Sequence, residues 1–271
     1  TSLCEPFSVE KADVTIETQV HVDGSHVDVT GSIQPLGTSL HDNATVSGEV
    51  IGIGIGGTVT YSFYKGDACA TLVSTSPALP LGSESPSTGA LAVGKYGFKA
   101  TYSGDDNYNG KTSLCEPFSV EKADVTIETV IHDANHNPVT SITVGDFVHD
   151  NATVSGQVND FAITGTVTYS FFTTGNCTGS STDEPVALGA ESTPIQPSPG
   201  GLYSYMAHYS GDDNYNPADS ACEPLEVRER QPPPCPDVKS ITIFGDELLA
   251  VTVRVDSKCQ GTPFCLTVQG K

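Results

Sequence analysis

The sequence predicts an all-β chain of tandem domains, and three observations carry that reading. The first is composition. With 27 Gly, 18 Pro, one Met and no Trp in 271 residues, and with Thr, Ser and Val abundant, the chain has the make-up of short strands joined by turns. The second is periodicity, since apolar residues alternate with polar ones at period two, the pattern of a strand with one face on a core. The third is duplication: TSLCEPFSVEKADVTIET occurs word for word from Thr1 and from Thr112, HDNATVSG from His41 and from His149, and YSGDDNYN from Tyr102 and from Tyr209. A period of about 110 residues exceeds the roughly 20–50 of solenoid repeats and suits a domain that buries its own core.

Each strand follows from its own alternation. Val14 and Ile16 alternate with Asp13, Thr15 and Glu17, and Ala44 and Val46 with Asn43, Thr45 and Ser47. Val59, Tyr61 and Phe63 alternate with Thr58, Thr60 and Ser62, and a fourth run places Tyr96, Phe98, Ala100 and Tyr102 on one face. The second copy repeats these as Val125 and Ile127, Ala152 and Val154, Val167, Tyr169 and Phe171, and Tyr203, Tyr205, Ala207 and Tyr209. With Gly and Pro between the runs, about seven strands fit in about 110 residues, the size of an immunoglobulin-like (Ig-like) β-sandwich. Tyr96 and Tyr203 follow Gly-containing turns and open the penultimate strand, where a tyrosine corner would sit.

The junctions set the expected boundaries. CEPFSVEK reads as the last strand of one repeat and ADVTIET as the first of the next, so residues 1–10 are expected to be the closing strand of a preceding repeat. Repeat 1 then spans 11–121 and repeat 2 spans 122–227, with a direct strand-to-strand passage that limits bending. Residues 228–236 form a Pro-rich linker, and in 237–271 the runs KSITIF, LLAVTVRV and FCLTVQ make a partial β unit, too few strands for a sandwich of its own.

Charge and cysteine content narrow the class. Against 33 Asp+Glu stand only 12 Lys+Arg, a formal charge of −21 that repels nucleic acid and anionic membrane alike. No apolar run is long enough to cross a bilayer. Eight Cys favour an oxidising, extracellular setting. Cys69 and Cys177 follow the YSF strand, and Cys115 and Cys222 lie in the CEP segment, so each repeat owns one pair. The expected bonds are Cys69–Cys115 and Cys177–Cys222, each closing about 45 residues and contributing roughly 4 kcal/mol by chain entropy. A zinc site at these cysteines is disfavoured, since there is no CxxC and no partnered His spacing. Cys259 and Cys265 flank a short turn and are expected to pair, leaving Cys4 and Cys235 unassigned.

DNATVSG, the GTVTYSFY strand with a Cys after it, AVGKYGFKATYSGDDNYNG, and the VEKADV junction at Val9–Val14 and Val120–Val125 resemble the bacterial Ig-like repeats of large surface and adhesin proteins. The resemblance covers about residues 1–227. It implies an Ig-like sandwich in an extracellular setting, and it names no ligand, because such repeats serve both as spacers and as binding modules. The CQGTPFC segment in the tail resembles the start of a further Ig-like domain.

Candidate chemistry is sparse. Asp105, Asp106 and Asn107, and likewise Asp212, Asp213 and Asn214, gather hard oxygen ligands of the kind calcium takes, with Glu5, Glu116 or Asp124 as helpers. The competing reading is that Asp and Asn simply cap a tight turn. No other cofactor is expected. The sequons at Asn43, Asn151 and Asn176 are glycosylation acceptors where the source has the machinery, and otherwise polar-face residues. Lys11 and Lys122 read as exposed junction lysines rather than isopeptide donors. His41 and His149, each followed by Asp, read as turn caps, since no nucleophile with a supporting third group accompanies them. The glycines of IGIGIGG at 51–57 precede a strand, and a phosphate loop would precede a helix.

The expectation is therefore a non-enzymatic, extracellular structural or adhesive protein, a stalk or filament, with neighbouring repeats or copies of itself as partners. Polymerisation by strand exchange would use Phe7 and Val9, with Cys4 bonding Cys235 across the joint. The alternatives are a module that recognises a surface glycan or protein through its end loops, and the spacer of a secreted enzyme.

Overall fold

The computed structural model describes residues 3–230, all of it strand, turn and irregular chain without a helix. The expectations for Cys235, Cys259, Cys265, the partial β unit and most of the Pro-rich linker lie outside the described residues. Nine strands come from the first copy of the repeated sequence: β1 (Thr15–Val22), β2 (Ile33–Pro35), β3 (Leu40–Ser47), β4 (Thr58–Lys65), β5 (Thr71–Thr75), β6 (Leu79–Pro80), β7 (Gly94–Tyr102), β8 (Lys111–Thr112) and β9 (Glu116–Glu121). Eight follow from the second: β10 (Thr126–Asp133), β11 (Ser141–Thr143), β12 (Val148–Ser155), β13 (Thr166–Phe172), β14 (Ser181–Ala187), β15 (Gly201–Tyr209), β16 (Ala218–Asp219) and β17 (Glu223–Arg228).

In the first set β1 and β3 pair as a two-stranded antiparallel sheet, and β2-β9-β7-β4-β5 form a larger one in which short β2 runs parallel to β9. The second set matches it, with β10–β12 as the small sheet and β11-β17-β15-β13-β14 as the large one. The two sheets of each set share a core. Ile16 and Ala44 from the small sheet meet Val59, Tyr61, Ala100 and Tyr102 from the large one, and Ile127 and Ala152 meet Val167, Tyr169, Ala207 and Tyr209. This is what period-two alternation demands: the inward positions of both sheets bury, and their neighbours face water.

Disulfides Cys69–Cys115 and Cys177–Cys222 are both formed. Tyr96 Oη donates to the carbonyl of Ala92 at 3.0 Å and Tyr203 Oη to that of Pro199 at 2.7 Å, a bond four residues back that pins the turn before β7 and β15.

Residues 3–10 show what neighbours contribute. The string CEPFSVE at 115–121 supplies β9 from Glu116 onward, with Phe118 and Val120 at 4% and 3% exposure. The identical string at 4–10 forms no strand, and Phe7 and Val9 are 89% and 86% exposed. The first has β2 and β7 beside it and its cysteine bonded to Cys69, and the second has neither. Cys4 is an exposed free thiol.

Between β9 and β10 lie only the residues 122–125. Leu36, just past β2, is 5% exposed and packs with Ile127, Val167 and Tyr215 of the second set, joined by Val93. Val93 N donates to Asn214 Oδ1 at 3.3 Å, and Asn159 Nδ2 to the carbonyl of Gly37 at 3.4 Å.

Candidate metal centre

Six of the chain's seven histidines stand in two matching places, one at the end of each small sheet. The register makes His21 of β1 and His41 of β3 a cross-strand pair, and His132 of β10 and His149 of β12 another. Directly opposed residues on adjacent strands have Cβ atoms about 4.5–5.5 Å apart, so pairing alone brings the imidazoles together. The turn after each first strand then adds a third ring. His26 and His136 sit there with φ of 50° and 59°, a left-handed conformation uncommon for residues other than Gly, though His, Asn and Asp visit it most.

A carboxylate closes each group. Ser85 and Ser192 bind the backbone of Asp42 and Asp150, through N to carbonyl O at 2.8 and 2.9 Å and through Oγ to the Asp N at 2.8 Å in both. That anchor sets the preceding residues, Glu84 and Glu191, over the rings. Glu84 reaches His26 Nδ1 at 3.2 Å and His41 Nε2 at 3.5 Å. Glu191 reaches His136 Nδ1 and His149 Nε2, both at 3.4 Å, and those two nitrogens are 3.2 Å apart. The potential ligand atoms of His21, His26, His41 and Glu84 all lie within 4.8 Å of one another, as do those of His132, His149 and Glu191.

Burial makes the arrangement costly as it stands. The side chains of His41 and His149 are 6% and 4% exposed. His21 Nδ1, His41 Nε2, His132 Nδ1 and His149 Nδ1 are buried and without a hydrogen-bond partner. Each such orphan costs about 1–3 kcal/mol. In the first group His41 Nδ1 bonds Asp23 Oδ1 at 2.7 Å, and Ser87 holds the other oxygen of that carboxylate. This fixes the ring and aims Nε2 at Glu84. The second group has Ala134 where the first has Asp23. Burial pushes the pKa of His149 down, against the raising influence of Glu191, which favours the neutral ring with a free lone pair.

Behind the histidines, Asp42 and Asp150 are fully buried with both carboxylate oxygens unpartnered. Burial, and next the nearby Glu116 and Glu223, push them up to about 8 and about 7. The raised values reduce the negative charge that these carboxyls place behind the rings near neutral pH.

The acidic turns are built differently. Asp105 Oδ1 accepts from Asn107 N and Tyr108 N, and Oδ2 from Gly56 N; Asp212 does the same with Asn214 N, Tyr215 N and Thr164 N. These carboxylates are occupied as turn caps, and the bonds to backbone N–H groups hold Asp105 below the usual carboxylate range. Asp106, Asn107 and Asp213 are exposed, Asn214 is turned to Val93, and Asp124 accepts from Asn216. Glu5 is exposed and Glu116 lies beside Thr18 and Asp42. Lys11 and Lys122 are exposed and donate to the carbonyls of Asp105 and Asp212. Among the sequons Asn176 is exposed, whereas Asn43 and Asn151 are half-buried beside buried Ala44 and Ala152.

His41 and His149, expected as turn caps, lie instead within β3 and β12 and anchor the two histidine groups. The signal was present in the histidine count, six of seven recurring at equivalent points of the two copies. Compared with known proteins, the chain matches no family model and no curated protein sequence.

Proposed function

We propose that the protein is an extracellular structural protein built of tandem, disulfide-locked Ig-like repeats, of the kind that bacterial surface and adhesin proteins carry, and that its repeats stack into a stiff stalk. The layer order supports the Ig-like reading: a small sheet over a five-stranded path, a parallel edge strand, a disulfide from the residue before β9 to the turn after β4, and a tyrosine bonded four residues back. Two disulfides per 228 described residues suit an oxidising compartment, and among the described residues no helix is long and apolar enough to cross a membrane.

The observation that carries the stalk is the joint. Four residues separate β9 from β10, and Leu36 of the first repeat is buried in the core of the second. A short link and a shared apolar contact leave little freedom for one repeat to swing against the other. Small-angle scattering of the chain tests this: one elongated shape is expected, and a broad distribution of bent forms that Leu36→Asp leaves unaltered would sink it.

A further inference from the structure

We propose that each repeat binds one divalent transition-metal ion of the zinc type, through His21, His26, His41 and Glu84 in the first and through His132, His149 and Glu191 in the second, where His136 stands beside His149 and Glu191 as a further donor. The spacing of the donor atoms is the strongest reason. Four ligands about 2.0–2.1 Å from a tetrahedral zinc stand about 3.4 Å from one another. Glu84 sets one carboxylate oxygen 3.2 Å from His26 Nδ1 and the other 3.5 Å from His41 Nε2, and Glu191 sets one oxygen 3.4 Å from His136 Nδ1 and the other 3.4 Å from His149 Nε2, two nitrogens that stand 3.2 Å apart. These separations are longer than charge-assisted hydrogen bonds, which close to about 2.7–2.9 Å, and they are of the size that separates neighbouring ligands of one ion.

Three further features agree. His41 Nε2 is unpartnered on a side chain 6% exposed, and it points at the carboxylate of Glu84. The Asp23–His41 bond is the carboxylate–histidine pairing that orients a metal-bound imidazole, leaving its other nitrogen as the ligand. His26 and His136 both adopt the left-handed backbone, so the same conformation is kept in two turns of different length. Imidazole-rich donors with one carboxylate select zinc, copper, nickel or cobalt and not calcium, which takes oxygen ligands. In the first group four protein ligands close the shell, so the ion is structural: it clamps the turn after β1 and the Glu84 loop onto the small sheet.

Titration of the metal-stripped full chain with zinc chloride, followed by calorimetry, is the test. Two ions per chain are expected, the first site tighter because only it has Asp23, while calcium chloride gives no comparable binding. Cobalt(II) in place of zinc should show the intense visible absorption of tetrahedral coordination. His26→Asn and His136→Asn are suited as variants, since both residues are exposed at the turn and Asn tolerates the same backbone. Each should weaken its own site at least tenfold and spare the other, with the far-ultraviolet spectrum unaltered. Asp23→Asn should weaken the first site about 10–100-fold. A chain that takes up no zinc overturns the proposal. So does zinc uptake with the same stoichiometry and affinity in both histidine variants, which would place the ions elsewhere, on cysteine thiols for example.

Discussion

Tyr96 and Tyr203 illustrate how single hydroxyls fix this structure. Each donates to a carbonyl four residues earlier, so removing the oxygen leaves a carbonyl unpaired while the ring stays packed. Tyr96→Phe and Tyr203→Phe should each lower stability by about 1 kcal/mol in urea unfolding, and no measurable loss would show that the bond is dispensable. The buried acids make a different residue-scale prediction. Burial pushes Glu116 up to about 7, with Thr18 opposing and Asp28 adding to the rise, and burial likewise raises Glu223. A carboxyl whose folded pKa is raised stabilises the fold fully below the ordinary carboxylate range, and that contribution is lost as pH climbs through the folded value. The double variant Glu116→Gln with Glu223→Gln should therefore gain on the parent between pH 5 and about pH 8, compared by thermal melts in chelator. A constant difference across that range would contradict the raised values.

At the scale of elements, β9 and its unpaired twin at 4–10 separate what a segment encodes from what its surroundings supply. Alternation marks Phe118 and Val120 as inward-facing, but burial arrives only with β2 and β7 beside them. The bridge from the start of β9 to the turn after β4 ties together the ends of two strands of one sheet across 46 residues. Its removal by Cys69→Ala with Cys115→Ala should cost roughly 4 kcal/mol in chemical unfolding. A peptide map showing Cys69 joined to Cys177 would upset the whole pairing. The main strands and both bridges were legible in the sequence because period-two alternation and duplication speak about neighbours along the chain. The histidine groups were not, since their members arrive from β1, a turn, β3 and a distant loop. Only the β1–β3 register sets His21 against His41, and only the anchoring of Ser85 on Asp42 brings Glu84 over them. Short β2 was also beyond reach: three residues, Ile33–Pro35, carry too little pattern, and their parallel pairing with β9 is a tertiary fact.

Across the whole molecule the joint is the feature with the widest influence, because Leu36 belongs by sequence to the first repeat and by packing to the second. Leu36→Ala should lower the stability of the second repeat by about 2 kcal/mol, read as a drop in its calorimetric transition with the first left nearly in place; an effect confined to the first repeat would refute the shared core. The parallel pairing of β2 with β9 bears on what happens when such a chain is pulled. Tension passing from one repeat to the next enters at the end of β9, where its three-residue pairing with β2 lies along the load, so those hydrogen bonds are sheared together and not peeled one after another. Should they fail, Cys69–Cys115 keeps its 46-residue span from extending, withholding about 150 Å of contour at roughly 3.3 Å per residue. Each repeat would thus lengthen in a limited, bounded step, as a leash does, with the bridged segment held back.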